Sequence, residues 1–206
     1  MGLFLAFALF TLFVARFDLR PIGPEGTSVG FAAVNQLIFQ WLGTQRLWYG
    51  VTQWIGVAAL LVAGSFGAAG LCQLVRRKSI KKVDRRILTL GAVYALAVAF
   101  YLLFEVVVIN CRPVMVDGEL EASYPSSHVL LVVCVMATAA RQVRARWPER
   151  RRLCWWADKA ALLLGALTAW GRLASGVHWF TDIVGGVLLA AALTALHDVL
   201  AGSEDH

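Results

Sequence analysis

Residues 48–75 contain no Asp, Glu, Lys, Arg or His. A helix needs roughly 20 mostly apolar residues to cross a bilayer, so this run is long enough to cross one at a tilt or to extend beyond it. Further mostly apolar runs, each with one or a few charged or histidine residues, occupy 2–17, 87–109, 126–142, 157–174 and 180–200, and the first, fourth and fifth of the six in chain order are short. With 59% hydrophobic residues in 206, the chain reads as an all-α polytopic membrane protein. No Pro/Gly/Ser-rich linker divides it, so 1–206 is expected to form a single membrane-embedded domain. The apolar N-terminus lacks a basic leader and a small-residue cleavage site, and reads as a retained first helix. Residues 28–43 are also apolar, but Asn35, Gln36 and Gln40 interrupt them. They are expected to form an interfacial helix after the first span, with Trp41 and Trp48 in the aromatic belt.

The net charge of +6 could point to nucleic acid, but the distribution of the basic residues argues against that partner. Seven Lys/Arg lie in 76–86, "RRKSIKKVDRR", and seven more lie between Arg141 and Lys159, out of 19 in all. Two basic loops separated by two spans place both on the cytoplasmic side. Six spans then leave both termini in the cytoplasm and turn the 18–47, 110–125 and 172–180 connections outward. The expected location is a cell inner (plasma) membrane. Cys72, Cys111, Cys134 and Cys154 show no metal-ligand spacing, and no disulfide framework is expected, with Cys154 placed in the second basic loop.

Three short motifs fall on the outward side: Arg112–Pro113, then "YPSSH" (Tyr124 to His128), then "GRLASGVHWFTD" (Gly171 to Asp182). Taken singly, each has an ordinary structural reading. An arginine at a span end is commonly an anchor, and Pro-Ser-Ser before an apolar run is commonly a helix start. Their convergence on one membrane face is what points to chemistry on a phosphoryl group. The guanidiniums of Arg112 and Arg172 match phosphate oxygens in a bidentate way. Ser126 and Ser127 open a helix whose free N–H groups form an anion site. His178 and Asp182, spaced i, i+4, can meet on one face, the carboxylate fixing the imidazole while its other nitrogen attacks phosphorus. His128 is placed to protonate the departing oxygen. No residue set suggests a metal or a cofactor, which leaves charge stabilisation to the arginines and the helix end.

At these residues the sequence resembles the type 2 phosphatidic acid phosphatase family, whose pattern runs K-x6-RP, PSGH and SR-x5-H-x3-D. The resemblance covers roughly 87–200, and Gly185–Gly186 follow the third motif as they often do in that family. It implies that His178 is the nucleophile of a phosphohistidine intermediate and that Asp182 orients it. It further implies that His128 is the acid and later the base, and that Arg112, Arg172 and Ser127 hold the phosphate.

Three positions depart from the pattern. Ser127 replaces a glycine, a spelling the family also uses among polyprenyl-diphosphate phosphatases. Gly171 replaces a serine. Glu105 stands where the family has lysine, a difference of two charges. At an effective dielectric of about 20, a unit charge about 6 Å away is worth roughly 3 kcal/mol. Glu105 is expected on the third span two turns before Arg112, on nearly the same face, pointing into the bundle and pairing with Arg112 or Arg172; the alternative is that it shapes substrate choice.

The expected activity is hydrolysis of a lipid phosphomonoester or diphosphate at the extracytoplasmic face, without a metal. Candidate substrates are undecaprenyl diphosphate, phosphatidylglycerol phosphate and phosphatidic acid, and the outward site and the P-S-S-H spelling lean toward the first. A lipid phosphotransferase of the same family and a degenerate lipid-binding protein are the competing readings. The sequence leaves oligomeric state open. A transporter is disfavoured because Glu105 is the sole intramembrane charge of that kind and no inverted repeat is visible.

Overall fold

The computed structural model describes residues 2–116 and 118–202. It contains seven α-helices: α1 (Gly2–Arg16), α2 (Ala32–Leu42), α3 (Arg46–Arg77), α4 (Arg85–Val106), α5 (Ser127–Arg146), α6 (Arg151–Ala174) and α7 (Phe180–Gly202). Among the described residues no strand forms, and isolated bridges such as Cys111 with Ala122 and Val116 with Glu119 shape the α4–α5 connection.

Four helices, α3, α4, α5 and α7, are long and apolar enough to cross a membrane. At 1.5 Å per residue the 32 residues of α3 extend about 48 Å, well past a hydrocarbon core of about 30 Å. The other two expected spans differ for physical reasons. α1 has 15 residues and reaches only about 22 Å. α6 begins at Arg151, inside the expected basic loop, so Arg152, Asp158 and Lys159 ride on its first turns. The second basic connection is therefore only 147–150, and Cys154 is a buried helical residue.

The third expected span ends early. α4 stops at Val106, and the chain then bends at Val107 and Ile109 to pair back on itself, with Ser123 N–H donating to Asn110 O at 2.9 Å and Arg112 N–H to Glu121 O at 3.0 Å. Arg112 thus sits in a loop rather than on the helix that carries Glu105. A β-branched run such as Val106–Ile109 suits this conformation as well as it suits a helix.

α5 is the hub, packing on α6, α7, α3 and α4, while α1 lies along α7. One core cluster joins Phe7 and Val14 of α1 to Val93, Leu130, Cys134, Leu189 and Leu193, and a smaller one joins Ala59 to Val132 and Val135. Half of α7's apolar window is buried (50%) but only 11% of α3's, so α7 is a core helix and α3 presents most of its surface outward. After α1 the chain folds back so closely that a Cβ on Gly30 would fall 1.7 Å from Val14 O.

Consecutive antiparallel helices sort the polar chemistry to two ends. The C-termini of α3 and α5 and the N-termini of α4 and α6 bring the Lys/Arg clusters together. Asp84 caps α4, accepting from Arg86 N–H at 2.9 Å. The opposite end gathers the starts of α3, α5 and α7 and the ends of α4 and α6, and every motif residue lies there.

Candidate active site

The third motif straddles the end of α6 and the start of α7. His178 precedes α7 in a tight connection and is 3% exposed; Asp182, in the first turn, is fully buried at 0%. Their closest approach, Nδ1 to Oδ2, is 3.6 Å, while Nδ1 donates at 3.1 Å to Ser123 O. The carbonyl is therefore the nearer acceptor and the carboxylate reinforces it. Both put the proton on Nδ1 and leave the Nε2 lone pair free. Burial pushes the His178 imidazole below its ordinary value; Asp182 opposes this, and the positive charges of Arg172 and Arg112 add to it. The ring is neutral at pH 7, as a nucleophile must be.

Asp182 is itself held. Asn110 Nδ2 donates to Oδ1 at 3.0 Å and Trp179 N–H to Oδ2 at 2.9 Å. Asn110 is 1% exposed, and its Oδ1 accepts from Gly30 N–H at 3.2 Å. Asn35 of α2 bonds Gly30 O at 2.8 Å and Thr181 Oγ1 at 2.9 Å. Asn35, expected at the interface, is thus a buried strut behind Asp182.

The second motif opens α5. Ser126 is the N-cap and Ser127 the first helical residue, so the free N–H groups of the first turn lie at the site. Two close approaches fix this opening against α7: a Cβ on Gly186 would meet Ser126 O at 2.9 Å, and one on Gly185 would meet the Tyr124 ring at 2.6 Å. His128 accepts at Nδ1 from Arg172 Nη2 at 2.9 Å. That acceptance assigns its proton to Nε2, which donates to Gln53 Oε1 of α3.

Arg172 is 1% exposed. Besides His128 it contacts Thr52 Oγ1 at 3.5 Å and lies over the Tyr49 ring, 5.2 Å from its centroid. Tyr49, Thr52, Gln53 and Gly56 form one face of α3 and back the His128–Arg172 pair, and a Cβ on Gly56 would fall 3.2 Å from the imidazole. The serine-to-glycine departure now has a cause. A Cβ at Gly171 would fall 2.5 Å from Thr52 Cγ2 and 3.0 Å from Trp48, so glycine lets α3 approach closely enough for Thr52 to reach Arg172.

The expected pairing of Glu105 is corrected. Arg112 pairs with Glu121, Nη2 to Oε2 at 2.8 Å, because the bridged loop carries both away from α4. Among the described residues no carboxylate pairs with Arg172. Glu105, in the last turn of α4, is exposed rather than turned into the bundle, with Tyr101 one turn back on the same helix.

Five buried side-chain polar atoms among the described residues lack a protein partner, and four are Arg112 Nε, Arg172 Nε, Ser126 Oγ and His178 Nε2. Unsatisfied buried groups are costly, so their concentration on motif residues marks a place for an anion. A pocket of about 50 Å³ joins His178, Ser127 and Arg112, with Glu105 on its wall. At roughly 10–15 Å³ of such space per water molecule, it takes a few waters or a group of that size, and not a lipid. His128 lies just beyond, at the head of an apolar groove of about 530 Å³ between α3, α4 and α5. Among the described residues no group of three His, Cys, Asp or Glu comes together to hold a metal ion.

A helical bundle with helices long and apolar enough to cross a membrane, and with two histidines and two arginines gathered at one end, has the make-up of a multi-pass membrane protein able to receive an anion there. The chain belongs to the PAP2 superfamily, a phosphatase family whose pattern matches residues 86–200, the stretch that holds all eight candidate residues. Its fold is shared by the crystal structure of a transmembrane PAP2-type phosphatidylglycerolphosphate phosphatase from Bacillus subtilis, at 18% identity and a TM-score of 0.69, covering 100% of this chain and 96% of that one. No curated protein matches the sequence.

Gln53, Asn110 and Glu121 were not legible as site residues. Gln53 and Asn110 carry a usable signal, being amides within or at the end of long apolar runs, where a polar side chain is costly without a partner. Glu121 carries none, because its role depends on the fold of the 107–123 loop.

Proposed function

We propose that this protein is a lipid phosphatase that hydrolyses a lipid phosphomonoester or diphosphate through a phosphohistidine. Undecaprenyl diphosphate, phosphatidylglycerol phosphate and phosphatidic acid are the candidate substrates. The observation that carries the reading is the buried, unpartnered Nε2 of a neutral His178, directed at a pocket it shares with Arg112 and Ser127. Arg112, Arg172, Ser126, Ser127 and the α5 N-terminus hold the phosphate oxygens and the charge that builds in the transition state. The Nε2 lone pair attacks phosphorus, the P–O bond to the lipid breaks, and His128 gives that oxygen its proton. In the resting site Nδ1 accepts from Arg172, so His128 becomes an acid only when Arg172 turns to the phosphate and Nδ1 takes the proton that a monoprotonated phosphate ester brings. Gln53 keeps the Nε2–H, and the proton on Nδ1 is the one passed to the leaving oxygen. Water then attacks the phosphohistidine, His128 takes its proton, and the P–N bond breaks to release phosphate. The apolar groove receives the chain. The chemistry needs no metal, since the arginines and helix end supply the positive charge.

In the membrane, α1 and α6 complete six crossings alongside α3, α4, α5 and α7, and α2 lies in the interface. Residues 1–206 act as one domain. The basic end and both termini face the cytoplasm, and the site opens on the other side.

Phosphate release from a panel of lipid phosphates, measured on purified protein in detergent with EDTA, tests the activity. Wild type is expected to release phosphate, and His178→Ala to release none. Release surviving in the variant would remove His178 as nucleophile, and no release by wild type would favour a binding role.

A further inference from the structure

The phosphoryl pocket has a neighbour. A polar pocket of about 360 Å³ shares Tyr101, Glu105, Arg112 and Ala122 with it and adds Glu121. Glu105 stands on the common wall. Tyr101 lies beside it on that wall, and among the described residues no ion pair engages it, so acceptor positions of the carboxylate stay open. The nearest guanidinium, Arg112, is already matched by Glu121 at 2.8 Å. A bound phosphate therefore meets an exposed carboxylate that, among the described residues, no cation pairs with. Two anions at such range repel, unless the ligand brings a hydrogen-bond donor of its own to that side.

We infer that Glu105 and the polar pocket form a subsite for the leaving group of the substrate, selecting lipid phosphates whose alcohol carries a hydroxyl or ammonium donor close to the scissile oxygen. Resting on the phosphatase reading above, this ranks the substrates that reading leaves open. A polyol headgroup phosphate or an amino-alcohol phosphate places a donor on Glu105 while its phosphoryl group lies among His178, Ser127 and Arg112. Phosphatidic acid and prenyl phosphates have no such donor, and the second phosphate of a diphosphate would set further negative charge against Glu105. The sizes suit this division: about 50 Å³ is too small for a lipid, and the two larger neighbouring spaces are the apolar groove, for the chain, and the polar pocket beside Glu105, for the headgroup. A carboxylate that receives its donor discriminates strongly against a ligand lacking one, because it is then left unpaired.

The test compares kcat/KM for four substrates in the same detergent: phosphatidylglycerol phosphate, a sphingoid-base phosphate, phosphatidic acid and a prenyl monophosphate. Wild type is expected to favour the first two by about tenfold or more, the scale of one hydrogen bond to a charged group. Preference for the first alone assigns a hydroxyl donor, and for the second alone an ammonium. Glu105→Ala is expected to bring the four within about threefold of each other, and Glu105→Lys to reverse the order. Glu105 is exposed on a helix end, so neither variant should impair folding. A wild type that favours no donor-bearing substrate, or a preference that survives both variants, overturns the subsite while leaving the phosphatase reading intact. No release from any of the four by wild type overturns the phosphatase reading and the subsite with it.

Discussion

Replacing Gln53 by leucine should disable proton delivery while sparing the rest of the site. Gln53 Oε1 accepts from His128 Nε2, and Arg172 Nη2 donates to Nδ1 at 2.9 Å. When His128 is to act as an acid it must carry protons on both nitrogens, and Gln53 is the one acceptor holding the resulting cation. Leucine is close in size and removes that acceptor. A hydrogen bond to a charged group contributes about 1.5–3 kcal/mol, and each 1.36 kcal/mol in a barrier is tenfold in rate. The expected loss in kcat/KM toward a lipid phosphate is therefore about 10- to 150-fold. p-Nitrophenyl phosphate separates this from a general packing defect, because its leaving oxygen departs without protonation. kcat/KM reports the steps through formation of the phosphoenzyme, so toward this substrate Gln53→Leu should stay within about threefold of wild type. Gln53→Glu, which retains an acceptor, should recover most of the activity on the lipid substrate. Equal losses on both substrates, or no recovery with glutamate, would refute the role given to Gln53 and show that α3 acts on the site only through packing.

Other substitutions probe separate links. Gly171→Ser restores the family's usual residue but drives a Cβ to 2.5 Å from Thr52 Cγ2; overpacking of this kind costs about 1–3 kcal/mol, so a lower Tm and lower activity are expected, and a gain in activity would contradict the packing explanation. The pH profile follows from His178, whose lowered pKa keeps the ring unprotonated below its ordinary 6.5; the acid limb of kcat/KM should therefore lie below about pH 6.5. Asp182 raises that pKa, so in Asp182→Asn the residual activity should show an acid limb displaced further down, and a limb displaced upward would contradict the arrangement. For sidedness, a membrane-impermeant thiol reagent added to intact cells should label Gly118→Cys but not Ile80→Cys in a cysteine-free background, and the reverse pattern would invert the membrane orientation.

What could be read in advance divides by the range of the interactions. His128, Arg172, His178 and Asp182 lie in motifs a few residues long, where i, i+4 spacing and a helix start already constrain geometry. The strongly apolar α3, α4 and α7 were legible for the same local reason. Misreadings arose where local pattern permits two conformations. Val107, Val108 and Ile109 continue the apolar run of α4, yet the chain leaves the helix at Val106 because residues 110–112 pair with 121–123 across the loop. That single departure moved Arg112 off the helix and gave it Glu121 as partner. Asn35 and Asn110 were similarly ambiguous. An amide in an apolar segment suits an interface or a buried strut equally well, and only the approach of Thr181 and Asp182 from α7, more than seventy residues later, decides between them. Gln53 needed α3 to pass within reach of α5, which Gly171 permits and no short-range pattern records.

The central claim is that His178 carries the phosphoryl group, and that it does so on Nε2. Wild-type protein turning over a radiolabelled lipid phosphate is to be quenched in alkali, where phosphohistidine persists, digested, and the labelled peptide sequenced by mass spectrometry with the isomer assigned by phosphorus NMR. The expected result is label on His178 in the Nε2-linked form, absent from His178→Ala, because Nδ1 is occupied by Ser123 O at 3.1 Å. Label on Nδ1, label on His128, or steady turnover with no phosphohistidine at all would contradict it.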